Sequence, residues 1–552
     1  MKMLKFISIL VLGYTLTGCT DTVKNVIILI PDGTSSSLLT LSRWYINSDN
    51  ELQDKDSLLA FDPYVCGMIR THNSDGKFPD SAPAATAYAT GVKSNGKNVG
   101  MGPELNPRIS VLGSAKLKGL STGVVVTCEF SHATPASFVV SHFDRGDYGV
   151  LIKQFISNSP DLVFAGGKKY LDEHGYDVLL KPNKIKLITD KKSFDEANGL
   201  SDSCLWALFP DRRDSTRCMS YECDRDSAKA PGLAEMTDKA IKLLSKNKKG
   251  FFLMAEGSQI DWAAHNNDPY AAVTELLEFN KAVEVALNFA KKNKNTVVVI
   301  CPDHGTGGIC LGDFRSGKKF LEDNPTKYDN LNIRNSIVVP LKEIKESDGS
   351  SGRKLAESML SDAAYISQDS LTKYYNIKDT TGKVLKSLKN AVKEIDEKTG
   401  FTDEEKHEAK TDTLQYIIGG AFSRENFIGW PTTGHTGEDV FLAIYAPKHV
   451  PKITGTVNND SIGRYIAKVL NLGDLNDATK KLYTKHSEYF NEDEIISWDV
   501  DSLVVKKNGK ELIFMSNSNV LKINGETKNW SSMFVRINEI YYLPESINNC
   551  LK

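Results

Sequence analysis

The sequence predicts an α/β chain with a doubly wound, mostly parallel central sheet covered by helices on both faces, an insertion, and a small C-terminal β domain. Short β-branched runs recur at VKNVIILI (from 23), STGVVVTCEF (121), FFLMAEG (251), TVVVICPD (296) and VFLAIYAP (440). Continuous apolar runs of this length suit buried parallel strands. Helical stretches at 231–247 and 271–293 alternate with them, and such alternation lays helices on the two faces of a parallel sheet. The rhythm breaks at 309–430 and again from 495.

The chain opens with MKMLKFISILVLGYTLTGC, in which early lysines precede an apolar run and small residues precede Cys19. This is an export signal, and its LTGC ending resembles the bacterial lipoprotein box. Residues 1–18 are therefore expected to be cleaved and Cys19 lipidated, which puts the protein in the periplasm or at the cell surface with the N-terminal lipid as its membrane contact. No later stretch reaches the roughly 18 to 20 apolar residues of a spanning helix. Eight cysteines remain after Cys19, with Cys204, Cys218 and Cys223 crowded together, and in an oxidising compartment some disulfides are expected.

With 552 residues, 40% of them hydrophobic, the chain is long enough to bury a large core. A formal net charge of -2 without a long Lys/Arg block lacks the basic footprint of a nucleic-acid binder. The catalytic unit is read as 19–308 with 431–490. Residues 309–430 are a polar, partly helical insertion over the core, whose default reading is a solvated excursion, with a lid or an oligomer surface as the alternatives. Residues 495–552 are a β domain whose strands are joined by Asn-Gly turns.

Chemistry-bearing residues cluster where strands end, the usual ligand edge of such folds. PDG puts Asp32 after the first run, and EGSQIDWAAHNND supplies Glu256, Asp261 and His265. The last two stand four apart on one helix face, within reach of one ion. VVVICPDHG ends in Asp303 and His304, and GHTGED holds His435 before another strand. The cysteine spacing fits no zinc finger, so a metal would be held by His and carboxylates. PDSAPAATAYATG, from 79, reads by itself as a helix start: Asp80 or Ser81 caps, Pro83 suits the first turn, and Gly91 stops it.

Taken together, the strand-end DG at 32, DSAPAATAYATGVKSN at 80–95, HATP at 132–135, Arg145, EGSQIDWAAH, DHG and GHTGED resemble the alkaline phosphatase family, in order, from about residue 21 to about 470. The resemblance implies one zinc held by Asp261, His265 and His435, and a second held by Asp32, Asp303 and His304 with Ser81 as its reactive ligand. It also implies a magnesium held by Asp32, Thr134 and Glu256, with Arg145 binding the phosphate of a small monoester. His132 and Trp262 stand where some bacterial members carry aspartate and lysine; they are expected to flank the ligands. Pro31 replaces a glycine often found before the aspartate. The resemblance allows a homodimer.

Three other readings compete. A sulfatase would need arginine where Ala85 follows the Ser81-Ala-Pro-Ala run. Phosphodiesterases of the superfamily usually employ a threonine nucleophile and lack the third-metal set that Thr134 and Glu256 supply here. A surface binding lipoprotein with a degenerate site would not need a complete ligand set.

Overall fold

The structure, a computed structural model, describes residues 21–46, 58–200, 203–209, 218–312, 330–347 and 349–551. The expected signal and Cys19 lie outside the described residues. In chain order the first strands are β1 (Asn25–Pro31), β2 (Val65–Arg70), β3 (Ser121–Glu129), β4 (Leu162–Gly166), β5 (Ile185–Ile188), β6 (Cys204–Leu208), β7 (Phe251–Gly257) and β8 (Thr296–Ile300). Four two-residue strands follow, β9 (Gly305–Thr306), β10 (Cys310–Leu311), β11 (Ile428–Gly429) and β12 (His435–Thr436), then β13 (Val440–Tyr445) and β14 (Gly455–Asn458).

Ten of these form one sheet in the order β14-β2-β13-β8-β1-β7-β3-β4-β6-β5. Every residue of the central strand β1 is buried, and β1 pairs in parallel with β7 and β8. Because side chains alternate across a strand, Ile27 and Leu29 enter one apolar cluster and Val26, Ile28 and Ile30 the other. On the first face lie the helices Leu233–Leu244 and Pro269–Asn293; on the second lie Ser81–Thr90, Ala133–Val139, Tyr148–Asn158 and Asp460–Val469.

Three sequence expectations are corrected. The run at 440, read with the parallel strands, forms β13, which is antiparallel to both β2 and β8. Its direction follows from its entry point: β12 pairs with β9 just beyond the carboxyl end of β8, so a strand starting four residues later must run back. The 309–430 segment is not a solvated excursion. Its described helices bury Leu341, Leu355, Met359, Leu371, Leu388, Leu414 and Ile418 in the same cluster as β1 and β7. Finally, no disulfide forms at Cys66, Cys128, Cys204, Cys223, Cys301, Cys310 or Cys550. Cys204 and Cys223 pack toward opposite faces of the sheet. Cys128 and Cys301 belong to strand ends separated by β7 and β1, about 14 Å at ordinary strand spacing, where a disulfide needs Cα atoms within about 7 Å.

The C-terminal strands are β15 (Thr484–Lys485), β16 (Ile495–Trp498), β17 (Ser502–Lys507), β18 (Lys510–Met515), β19 (Ser518–Ile523), β20 (Glu526–Ile537) and β21 (Ile540–Leu543). They make a separate seven-stranded antiparallel sheet around Leu503, Leu512, Phe514, Phe534 and Tyr541. Both residues of the Asn508-Gly509 and Asn524-Gly525 turns have positive φ, the condition that makes Asn-Gly the favoured two-residue hairpin. Among the described residues no helix is long and apolar enough to cross a membrane.

Candidate active site

The sequence-predicted residues converge at the carboxyl ends of β1, β3, β7 and β8. Asp32 occupies the turn after β1, Glu256 the end of β7, and Asp303 and His304 the loop after β8. Asp261, Trp262 and His265 lie on the short helix Gln259–His265; His132 and Thr134 open the helix after β3. Gly33 has φ +69, and a Cβ there would lie 2.7 Å from Asp261 Cα. Only glycine lets the Asp32 turn press against the helix that carries Asp261.

Donor atoms of Asp32, Asp303 and His304 lie within 4.8 Å of one another, as do those of Asp261, His304 and His435. His304 thus joins the two groups. The trio taken from the sequence, Asp261, His265 and His435, is close pair by pair, though through different Asp261 oxygens: His265 Nε2 lies 3.3 Å from Asp261 Oδ2 and 3.2 Å from His435 Nε2, and His435 Nε2 lies 3.8 Å from Asp261 Oδ1.

The hydrogen bonds on the far side of each ring fix which nitrogen is free. His435 Nδ1–H donates to the Pro79 carbonyl at 2.9 Å, and His265 Nδ1–H donates to the Thr433 carbonyl. Thr306 Oγ1 donates to Asp261 Oδ1 at 2.5 Å and so accepts from His304 Nδ1–H at 3.2 Å. Each imidazole therefore turns its Nε2 to the same centre, as metal-binding histidines do. Burial disfavours the His265 imidazolium, but Asp261 outweighs it and lifts the ring to about 9, so without a metal a proton on Nε2 bridges the 3.2 Å to His435, in the place a divalent cation would take.

The oxygens fit the same conclusion. Both carboxylate oxygens of Asp32, Oδ2 of Asp303, Oε1 of Glu256 and Oγ1 of Thr134 are buried without a hydrogen-bond partner among the described residues. Such acceptors are costly in a protein interior unless something positive satisfies them. Burial and the carboxylates Asp303, Asp261 and Glu256 push the Asp32 acid well above its ordinary range. Burial is also the main cause that lifts Glu256 to about 8 and Asp303 to about 6, while burial and His435 hold His304 down to about 3. This crowd of carboxylates and imidazoles is a donor set for divalent cations: nitrogen-rich around Asp261, all-oxygen around Glu256.

Ser81 is the first residue of the helix Ser81–Thr90, all ten residues of which are buried. Its Oγ lies 3.1 Å from His304 Nε2. Asp80 holds the N-cap position but makes no side-chain cap; its carboxylate instead accepts from Arg145 Nη1 and from the Lys97 amide. Arg145 Nη2 lies 3.1 Å from His132 Nε2, and the His132 ring meets Trp262 edge to face at 5.6 Å. Arg145, His132 and Trp262 thus form a continuous rim beside the cluster. Thr306 and the carbonyls of Pro79 and Thr433 were not singled out in the sequence, and Asp80 was read there as a helix cap rather than as a partner of Arg145. Only the adjacency of Asp80 to Ser81 was a signal there.

A family model described as alkaline phosphatase matches residues 23–472. Alkaline phosphatase 4 of Bacillus subtilis is 32% identical over 461 residues, which are 82% of this chain and 89% of that protein. The cold-active alkaline phosphatase of a psychrophilic Shewanella sp. matches with a TM-score of 0.65 at 26% identity, over 81% of this chain and 99% of that one. A mutant alkaline phosphatase from the Antarctic bacterium TAB5, solved with magnesium bound in its M3 site, matches with a TM-score of 0.53 at 24% identity, over 82% of this chain and 98% of that one.

Proposed function

The chain belongs to the alkaline phosphatase family, and from that premise we propose that it hydrolyses small phosphate monoesters through a phosphoserine at Ser81. Its cofactors would be two zinc ions, one held by Asp261, His265 and His435 and the other by Asp32, Asp303 and His304, and a magnesium ion held by Asp32, Thr134 and Glu256. Bound there, divalent ions would favour the Ser81 alkoxide and neutralise charge on the departing oxygen.

The observation that carries this reading is the position of Ser81 Oγ, 3.1 Å from His304 Nε2 at the head of a buried helix. In the first displacement a bond forms from Oγ to phosphorus as the bond to the alcohol oxygen breaks, and that oxygen leaves as the alcohol with a proton. Water then displaces Oγ, which regains its proton as phosphate departs, so that two in-line steps retain configuration at phosphorus. The first amides of the Ser81–Thr90 helix lend their positive dipole end to the phosphoryl group. Arg145 supplies a planar fork for two phosphate oxygens. Its Nη1 is engaged by Asp80, which orients the guanidinium and leaves other N–H groups for the substrate.

We also propose export with a lipid on Cys19, supported by the LTGC sequence. A panel of a phosphate monoester, a phosphate diester and a sulfate ester, with and without chelator, tests the catalytic reading. Chelator-sensitive monoester hydrolysis restored by zinc and magnesium is expected; tight phosphate binding without turnover would favour a binding protein, and faster diester or sulfate cleavage a different esterase.

A further inference from the structure

Beside the ligand cluster is a cavity of about 390 Å³ that shares Trp262 and His265 with it. Tyr170 and Tyr221 add further aromatic walls, and Glu129, at the end of β3, and Gln259 also line the cavity. The remaining wall comes from the 309–430 segment: Arg353 on the helix Gly352–Ser361, and Glu408 and Asp412 on the helix Asp403–Glu425. The insertion therefore closes one wall of the cavity.

Its electrostatics are one-sided. Arg353 is spoken for by three carboxylates, with Nη2 2.7 Å from Glu408, Nη1 2.9 Å from Asp412 and Nε 3.4 Å from Glu357. It has little left to offer an anion. One guanidinium thus stands among three lining carboxylates, Glu129, Glu408 and Asp412, and Glu408 Oε2 is buried without a hydrogen-bond partner among the described residues. Carboxylates set among aromatic faces attract cations and repel anions.

We propose that this cavity receives the alcohol portion of the monoester and selects small alcohols bearing an ammonium group. The proposal rests on the phosphomonoesterase reading above. Its volume sits near the lower end of small-ligand pockets, roughly 300–1,000 Å³, which suits an amino alcohol or its quaternary analogue. His265, a candidate ligand and also a cavity wall, puts the cavity next to the reacting centre, and the phosphoryl group is transferred while the ammonium stays with the departing alcohol.

The test is kcat/KM of the metal-replete full chain for O-phosphoethanolamine, phosphocholine, glycerol phosphate and phosphoglycolate, with p-nitrophenyl phosphate as a reference substrate. The two cationic esters are expected to exceed phosphoglycolate by about tenfold or more, and Glu408→Gln and Asp412→Asn to narrow that ratio by about threefold each. Equal kcat/KM for cationic and anionic esters in the unaltered protein would overturn the proposal without any variant having to fold, as would ratios that neither substitution moves. Failure to hydrolyse p-nitrophenyl phosphate at all would overturn the monoesterase reading, and this inference with it.

Discussion

Thr306 shows how much of the site depends on residues that carry no chemistry themselves. Its one hydroxyl bridges Asp261 and His304, which the family resemblance assigns to different zinc ions, and it fixes the His304 tautomer. Thr306→Val keeps the shape and removes the bridge. Metal affinity should fall by about 10- to 100-fold, as for other partners of ligating residues, measured by competition with a chromophoric chelator. Ser81→Ala differs in kind: labelled phosphate should no longer be trapped on the protein, while bound zinc is retained. Undiminished trapping would remove Ser81 from its role. The sequence made the candidate ligands legible because Asp, His and Glu at strand ends are an uncommon, local signal and their order along the chain resembles one family. Thr306 and Asp80 act through bonds between distant segments, and no local spacing announces such bonds.

Among the elements, the helix Pro269–Asn293 begins at a junction. Its N-cap Asp268 accepts from Ala271 N at 3.0 Å, Gly352 N at 2.8 Å, Gln415 Nε2 at 3.1 Å and the Tyr375 hydroxyl. One buried carboxylate thus clamps three helices of the 309–430 segment to the element that follows His265. Asp268→Ala would strand several buried donors at once, each costing about 1–3 kcal/mol. A loss on the order of 3 kcal/mol or more in urea unfolding is expected, along with weakened monoester turnover as the wall carrying Arg353 loosens. The segment was misread in the sequence because its helices alternate charged residues with single apolar ones. That pattern suits a solvated face as well as an amphipathic one, and only the presence of a partner decides between them. The direction of β13 was likewise unreadable, since an apolar run looks the same from either end.

For the whole molecule, the α/β rhythm and the C-terminal hairpins were legible because strand length, apolarity and Asn-Gly turns are local properties; the packing of three units onto one frame was not. The core also buries ionisable groups outside the candidate metal site, and Glu275 on the Pro269–Asn293 helix is one of them. It is 4% exposed, and its carboxylate accepts from the Glu222 amide at 2.5 Å. Burial, reinforced by Glu222, Glu278 and Asp224, lifts its acid to about 8 from an ordinary 4.5. Between those two values the folded chain holds a proton on Glu275 that the unfolded chain has released. Stability must therefore decline as pH rises through this window. Glu275→Gln keeps an oxygen for the Glu222 amide and removes the titration. Melting temperatures taken from pH 5 to 8 should show the unaltered protein losing stability relative to the variant as pH rises, with the difference levelling off above about 8, where both states are ionised. A constant difference across the window would mean that Glu275 is already ionised in the folded chain, with the Glu222 amide outweighing its burial.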